Sequence, residues 1–147
     1  MQVVIQRVSS SNVKVDGKII GEIGRGLNVL LGVAKEDTKE DAEYILNKII
    51  NMRIFEDDMG KMNLSLLDIG GDLLVISQFT LLANTKKGKR PSFEKAGDPI
   101  HANELYEYFI EIAKKSVKKV EHGKFGADMK VDIQNDGPVT ILLNSEK

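Results

Sequence analysis

The sequence contains no cysteine and no tryptophan, and only two histidines occur among its 147 residues. Without cysteine, neither disulfides nor zinc sites built from thiolates are possible. The two histidines, His101 and His122, are not spaced as a pair on one helical face, so a metal site built from histidine is not expected either. We therefore expect no metal and no other cofactor.

Long apolar runs are also missing. No stretch approaches the roughly 18 residues of a membrane span, and no membrane partner is expected. The beginning of the chain, Met1–Arg7, lacks the basic segment followed by an apolar segment that is typical of a secretory signal. Together with the absence of cysteine, this predicts a cytoplasmic protein.

The formal net charge is only −1, which gives no general reason to expect a nucleic acid as partner. One short stretch departs from this balance, because five basic residues there are opposed by a single acidic residue, Glu94. Such a cluster is either a solvated surface loop or a surface that contacts phosphates. The basic residues are Lys86, Lys87, Lys89, Arg90 and Lys95.

The length fits one domain over residues 1–147, in which short strands alternate with two helices. One helix is predicted from an N-cap at Thr38, with Asp41 as capping-box partner, to about Met52, and the other from about Ala102 to Val120. An Asp-Gly pair at 16–17 predicts a tight hairpin. Strands are predicted at 3–8, 12–15, 18–23, 27–34, 64–66, 73–79, 129–134 and 139–144, with a loop at 84–99. The sum is an α+β domain of antiparallel strands with two helices.

The common catalytic motifs are absent: there is no G-x-S-x-G elbow, no Walker loop and no dinucleotide fingerprint. Both histidines are expected at the surface in or beside the second helix. The carboxylates at 57–58, 68 and 72 are expected in turns and caps. An enzyme with these residues would use main-chain groups, a threonine without a neighbouring histidine, or the substrate itself.

Two segments resemble the signatures of the D-aminoacyl-tRNA deacylases. Ser77–Leu81 reads SQFTL and resembles the first, and Asn135–Thr140 reads NDGPVT and resembles the second. Phe125–Met129, the loop Gly88–Phe93 and the opening segment Met1–Val8 also resemble the family. The resemblance therefore runs from one end of the chain to the other.

This resemblance implies the barrel-like fold of that family and the hydrolysis of an ester. The ester joins a D-amino acid, or mischarged glycine, to the terminal adenosine of tRNA, and L-aminoacyl-tRNA is rejected. It also implies a homodimer with active sites at the subunit interface. The first signature would come from one subunit, and Gly137-Pro138, joined by a cis peptide bond, would enter from the other to exclude L-residues.

By the same resemblance, Ser77, Gln78, Phe79 and Thr80 form the catalytic segment. The backbone N–H groups around Phe79 and Thr80 are expected to hold the ester carbonyl. Thr80 is a possible nucleophile, but no base that could activate it is evident in the motif. We therefore favour a mechanism in which main-chain groups and the 2′-hydroxyl of the terminal ribose assist the attack of water.

Three further residues have two interpretations each. Phe125 and Met129 belong to an adenosine pocket or to the core. Arg7 braces the carbonyl groups of Gly137 and Pro138 or is an exposed strand residue. Two other functions stay open: a non-catalytic, dimeric nucleic-acid-binding module, and an editing domain of the same fold that acts on L-aminoacyl-tRNA.

Overall fold

The computed structural model describes residues 1–146, and they form an α+β domain as predicted. Its sheet has the strand order β2-β1-β3-β6-β7, with β8 on the other edge of β1. The strands are β1 (Gln2–Val15), β2 (Lys18–Ile23), β3 (Gly26–Gly32), β4 (Phe55–Glu56), β5 (Met62–Leu64), β6 (Asp72–Ser77), β7 (Val120–His122) and β8 (Lys130–Asn144); the helices are α1 (Lys39–Asn51), α2 (Leu66–Ile69) and α3 (Pro99–Ala113). The short strands β4 and β5 pair only with each other.

The long strand β1 organises the sheet. Its first half pairs with β3 and its second half with β2, while β8 runs antiparallel along its other edge. The predicted hairpin at Asp16-Gly17 is confirmed, because both residues have positive φ angles, 51° and 78°. Two positive φ angles in succession match the twist of the flanking strands.

The sheet is mixed, which differs from the predicted antiparallel arrangement. Strand β6 pairs in parallel with both β3 and β7. The two main helices explain this difference, since α1 lies between β3 and β6 in the chain and α3 lies between β6 and β7. A parallel pair needs such a crossover connection. The uninterrupted apolar run Leu73–Ile76 of β6, and the burial of almost every residue of β3, are typical of strands that are covered on both faces.

The sheet curls into a nearly closed barrel. Its outermost strands in the order, β2 and β7, approach each other so closely that a Cβ added to Gly21 would lie 3.0 Å from the carbonyl oxygen of His122. Side chains of β6 point alternately to two cores: Leu73 and Val75 pack under the helices, and Leu74 and Ile76 pack on the opposite face. Burial on both faces fixes the carboxyl end of β6, where the first signature begins.

The first helix agrees with its prediction. Thr38 caps α1, and the backbone N–H of Thr38 donates to the Asp41 carboxylate at 2.8 Å, which completes the predicted capping box. The apolar face of α1 lies in the main core.

The second helix is shifted relative to its prediction. It begins at Pro99 because the Asp98 carboxylate accepts hydrogen bonds from the N–H groups of Ile100 and His101. It ends at Ala113, although the apolar spacing continues to Val120. Val120 instead begins β7 and pairs with Leu73.

Four smaller predictions were wrong in detail. The strands predicted at 3–8 and 12–15 are one strand, β1. Ser65 does not continue a strand but caps the short helix α2, and its hydroxyl accepts from the N–H of Asp68 at 3.1 Å. The strand predicted to reach Phe79 ends at Ser77 and is followed by a 3₁₀ turn, Phe79–Leu82. The two strands predicted at 129–134 and 139–144 are one strand, β8, whose pairing is irregular near Asn135.

Within residues 1–146, no helix has the length and apolar character needed to cross a membrane.

Candidate active site

A cavity of about 500 Å³ opens at the carboxyl end of β6. Two segments that were identified from the sequence meet at this cavity. They are the start of the first signature and Phe125–Met129, and they meet because β6 and β7 are neighbouring strands. The start of α3 completes the wall of the cavity. This contribution was not predicted from the sequence, although Asp98-Pro99 is a typical helix start. The cavity is lined by Ile76, Ser77, Gln78, Phe79, Gly97, Pro99, Ala102, Phe125, Gly126, Ala127, Met129 and Val131.

Thr80 lies just beyond this lining and is exposed to solvent. Its hydroxyl oxygen accepts a hydrogen bond from the side-chain amide of Gln78. An amide N–H₂ group donates protons and does not take them up. The group that holds the Thr80 hydroxyl is therefore not a base that could activate it.

Neither histidine lines the cavity. His101 is half-buried, and its Nε2 lies 2.9 Å from the carbonyl oxygen of Asp37. His122 is exposed, with its Nδ1 2.7 Å from the carbonyl oxygen of Gly123. Both ring contacts are with main-chain carbonyl groups, so the geometry gives Thr80 no histidine partner.

The backbone at the start of the 3₁₀ turn presents free N–H groups. The N–H of Gln78 donates to the carbonyl oxygen of Leu31 at 2.8 Å, and the N–H of Leu81 donates to Gln78 at 3.3 Å. Between them, the N–H groups of Phe79 and Thr80 are the first of a helical turn, and such groups have no acceptor within the turn. These are the two groups expected to hold the ester carbonyl.

Phe125 and Met129 fit both interpretations offered from the sequence. Each is half-buried, each lines the cavity, and each packs against a hydrophobic cluster, Phe125 under the helices and Met129 on the opposite face. A Cβ added to Gly123 would lie 2.5 Å from the sulfur of Met129. Glycine at this position therefore allows Met129 to reach the cavity wall.

Tyr106 supports this wall from behind. Its ring lies 6.0 Å from that of Phe125, and its hydroxyl donates to the carbonyl oxygens of Val75 at 2.9 Å and Gly123 at 3.2 Å. Burial raises the pKa of the Tyr106 phenol well above its ordinary value. The phenol thus stays protonated and links β6 to the segment that carries Phe125.

The second signature forms a braced, exposed segment within β8. The Gly137-Pro138 peptide bond is cis, as the resemblance implies. The side chain of Asn135 spans the segment: its Oδ1 accepts from the N–H of Val139 at 2.8 Å, and its Nδ2 donates to the hydroxyl of Thr140 at 2.9 Å. These two contacts hold both ends of the segment together.

The buried side chain of Arg7 also holds the second signature in place. Its side chain is buried, with 7% of its surface exposed, which excludes an exposed strand arginine. Its Nε donates to the carbonyl oxygen of Asp136 at 3.0 Å, and its Nη1 donates to that of Ile54 at 2.7 Å. The prediction is thus corrected in its partners, because Arg7 holds the carbonyl group before Gly137 rather than those of Gly137 and Pro138.

The two signatures are far apart within one chain. Ser77 is in register with Leu31, Leu31 with Val3, and Val3 with Leu143. Pro138 lies three strands across from β6 and five residues before Leu143 on β8. With strand rise and spacing of about 3.3 and 4.8 Å, this corresponds to about 20 Å along the sheet. Neither Gly137 nor Pro138 lines the cavity.

Two of the other carboxylates noted in the sequence, Asp57 and Asp68, lie in a turn and in a helix cap, as expected. Asp57 accepts from the N–H groups of Lys61 and Met59, and Asp68 accepts from that of Ser65. The bond from Lys61 is the main reason why the pKa of Asp57 is lowered, and the bond from Ser65 does the same for Asp68. Across residues 1–146, no group of three or more acidic or histidine side chains is placed to hold a metal ion; the expectation of no cofactor stays a prediction.

The model of one protein family, D-Tyr-tRNA(Tyr) deacylase, matches residues 4–144. The chain belongs to this family. It is 60% identical over 148 residues to a D-aminoacyl-tRNA deacylase of Thermosipho melanesiensis, and 62% identical over 147 residues to one of Clostridium botulinum. In both cases the match covers 100% of this chain and 99% of the relative.

Two solved structures are similar to the deacylase fold seen here. One is described as a c-Myc DNA Unwinding Element Binding Protein, with a TM-score of 0.95, 44% identity and full coverage of both chains. The other is described as a probable eukaryotic D-amino acid tRNA deacylase, with a TM-score of 0.86. At 17% identity over 97% of each chain, the second shows the fold alone.

As a member of this family, the deacylase removes D-amino acids from tRNA by hydrolysis. This confirms the function expected from the two signatures. The family model and the two relatives named above carry the description of a deacylase, and neither describes a non-catalytic nucleic-acid-binding module or an editing domain for L-aminoacyl-tRNA.

Proposed function

We propose that two copies of the chain form a homodimer, and that each active site is completed across the interface. The cavity at the end of β6 would come from one subunit and Gly137-Pro138 from the other. The separation of about 20 Å along the sheet between these elements in one chain is the observation that carries this proposal. The segment is exposed and doubly braced, as expected for a rigid element that acts on another molecule.

An apolar surface next to the cavity supports such a dimer. The side chain of Leu142 is 77% exposed and is in register with Val4, which is in turn in register with Leu30. The row continues to Ile76, which lines the cavity. Burying one leucine is worth about 1.5–3 kcal/mol, so a second copy that covers this row gains stability and lies beside the site.

A groove of about 410 Å³ follows the same surface. It is lined by Leu142 and Val4 and also by Leu81, the last residue of the first signature. Homodimers most often pair through a two-fold axis, with the same patch on both subunits. A pairing of this kind would bring each subunit's β8 towards the first signature of its partner.

In this arrangement the main chain at Gly137-Pro138 selects for chirality. Backbone atoms held against the α-carbon of the substrate would collide with the side chain of an L-residue, and they would not depend on which D-side chain is present. Glycine, which has no side chain, would also be accepted. A thousandfold discrimination corresponds to about 4 kcal/mol, which a steric collision can supply.

The chemical step then relies on main-chain groups and on the substrate. A water oxygen attacks the ester carbonyl carbon, and the N–H groups of Phe79 and Thr80 stabilise the negative oxygen that forms. The carbon–oxygen bond to the ribose breaks, and the ribose oxygen leaves with a proton. That proton comes from the attacking water, and the neighbouring 2′-hydroxyl would direct the water or relay its proton to the leaving ribose oxygen. Thr80 would not be the nucleophile, because its hydroxyl is held by an amide donor.

The terminal adenosine would occupy the cavity beside Phe125 and Met129. Stacking of a base on an aromatic ring is worth about 1–3 kcal/mol, and the half-buried Phe125 lines the required space. A cytoplasmic location, expected from the sequence, is part of the same proposal.

Parallel deacylation of D-Tyr-tRNA and L-Tyr-tRNA tests the proposed selectivity. We expect release of tyrosine from the D-ester at a kcat/KM at least about a thousandfold above that for the L-ester, which corresponds to about 4 kcal/mol. Comparable rates on both esters would contradict selection by the Gly137-Pro138 segment.

A further inference from the structure

A loop beside the cavity carries four basic side chains within five residues. Lys86, Lys87, Lys89 and Arg90, here called the basic loop, are all exposed. Three ion pairs occur among residues 1–146, and none involves the basic loop. Four neighbouring positive charges therefore face solvent without neutralisation by the protein.

The basic loop is held in place at its base. The N–H of Asn84 donates to the carbonyl oxygen of Ser92 at 2.7 Å, and the N–H of Ser92 donates back at 2.9 Å. The Asn84 side chain also accepts from the N–H of Lys86 at 3.1 Å. At the tip, Gly88 turns the chain with a φ of 68°, which glycine adopts without steric cost.

This base is joined directly to the active site. Phe93, which follows Ser92, packs edge-to-face against Phe79, with 5.1 Å between the ring centroids. Phe79 lines the cavity. On the other side, Asn84 lies two residues after the 3₁₀ turn that contains Thr80. Both ends of the basic loop thus start from the mouth of the cavity.

The position of the basic loop beside the cavity determines which phosphates its charges can attract. With a formal net charge of −1, the chain as a whole does not attract a polyanion. The field of exposed charges is screened beyond about 8 Å at physiological ionic strength, so only nearby phosphates sense the basic loop. A nucleoside in the cavity that is the end of an RNA strand places its own phosphates within that short range.

We propose that the basic loop binds the backbone phosphates of the tRNA 3′ strand next to the terminal adenosine, independently of base sequence. This inference rests on the proposed location of the adenosine in the cavity. Lysine and arginine recognise phosphate by charge and by N–H donation. The contribution is to the capture of the tRNA and not to the breaking of the ester bond.

The test compares a substrate that has phosphates with one that has none. The variant Lys86→Gln/Lys87→Gln/Lys89→Gln/Arg90→Gln is assayed with D-Tyr-tRNA and with adenosine carrying D-tyrosine as a 3′ ester. We expect kcat/KM for the tRNA to fall at least about tenfold at low salt, with the adenosine ester hydrolysed at an unchanged rate. Because each phosphate contact to a single strand contributes about 0.7 to the salt slope, log kcat/KM against log salt should become shallower by about 2 to 3.

A matched control removes the same four charges elsewhere. Lys114, Lys115, Lys118 and Lys119 are exposed in the stretch after α3, and replacing all four with glutamine should leave the salt slope close to that of the unmodified enzyme. Equal losses in both variants would overturn the proposal, since general charge would then be responsible. A loss on the adenosine ester would also overturn it, because the basic loop would then shape the cavity instead.

A separate variant distinguishes failure of this inference from failure of the adenosine placement. Phe125→Ala should raise KM for both substrates, because both carry the adenine. If Phe125→Ala changes neither, the placement in the cavity is wrong, and with it the basis of the inference. If Phe125→Ala behaves as expected but the basic-loop variant retains full activity and salt slope on D-Tyr-tRNA, only the phosphate contact is wrong.

Discussion

The side-chain amide of Gln78 donates a hydrogen bond to the hydroxyl oxygen of Thr80. This contact favours one of two roles for Thr80, because a nucleophilic hydroxyl needs a neighbouring group that accepts its proton. An amide N–H₂ group cannot do so. We therefore propose that the threonine is a fixed part of the turn and that its backbone N–H, not its hydroxyl, acts on the substrate.

The first prediction concerns this residue. In Thr80→Ala the backbone N–H groups of the turn remain, so we expect kcat on D-Tyr-tRNA to stay within about tenfold of the unmodified enzyme. Loss of a nucleophile would instead cost several orders of magnitude, as for other enzymes with covalent intermediates. Single-turnover rates at saturating enzyme are the measurement. A loss above about a thousandfold, with thermal unfolding unchanged, would restore Thr80 as the nucleophile.

The second prediction concerns Arg7. Replacing it with methionine keeps much of the buried volume but leaves the carbonyl groups of Asp136 and Ile54 without their charged donor. Hydrogen bonds to charged groups contribute about 1.5–3 kcal/mol each, so we expect the free energy of unfolding to fall by about 2–4 kcal/mol in urea titrations.

The same variant should also lose selectivity, because the Gly137-Pro138 segment is no longer held. Arg53→Met serves as control, since Arg53 is exposed, and it should change neither quantity. An Arg7→Met variant that is destabilised yet retains full preference for D-Tyr-tRNA would show that Arg7 supports the fold but not the selection.

The third prediction is a pH dependence at the start of α1. Partial burial raises the pKa of the Asp41 carboxyl, but hydrogen bonds led by the Thr38 N–H outweigh it, and the net pKa lies below the ordinary value of 3.8. A lowered folded-state pKa stabilises the fold above pH 3.8, and this stabilisation is lost as the pH falls through the folded value.

Asp41→Ala should therefore lower the free energy of unfolding by about 0.5–2 kcal/mol at pH 7, the range for helix caps. The difference from the unmodified protein should shrink below pH 3.8. Thermal unfolding followed by circular dichroism at pH 7 and pH 3 measures both values. A difference that stays constant between these pH values would mean that the charge of Asp41 does not contribute.

Local features of the fold could be predicted from the sequence because their causes are local. Asp16-Gly17 specifies its turn through backbone preference, and Thr38 with Asp41 specifies a helix start through two hydrogen bonds. The end of α3 could not be predicted in this way. Val117 and Val120 continue the helical spacing, but the backbone of Val120 is engaged by Leu73, which is distant in the chain.

The candidate site, like the fold, has features that could be predicted from the sequence and features that could not. The motif residues were identified from sequence, but their relation in space depends on strand order, which places Ser77 and Pro138 three strands apart. The exact acceptor of the Arg7 side chain and the contact of Phe93 with Phe79 also join distant or differently folded segments. No periodic pattern in the sequence carries such information.

The central claim is that Gly137-Pro138 completes the active site of the partner subunit. Two variants test it, because one damages only the Gly137-Pro138 segment and the other damages only the cavity. In Gly137→Val, a Cβ would lie 2.9 Å from Val139 Cγ2 and 3.0 Å from Arg7 Nη2, at a φ of 133° that L-residues rarely adopt, so the segment must shift. In Ala127→Trp, the larger side chain fills the cavity. Each homodimer should be at least about tenfold less active on D-Tyr-tRNA, since the filled cavity no longer admits the adenosine and the displaced segment no longer positions the aminoacyl group.

The most direct measurement is the activity of the heterodimer of these two variants, purified with a different tag on each subunit. One of its two sites then combines an intact cavity from the Gly137→Val subunit with an intact Gly137-Pro138 from the Ala127→Trp subunit. We expect about half the kcat of the unmodified dimer, because one of two equivalent sites is restored. A heterodimer as inactive as the two homodimers would show that both elements must lie in the same chain and would contradict the claim.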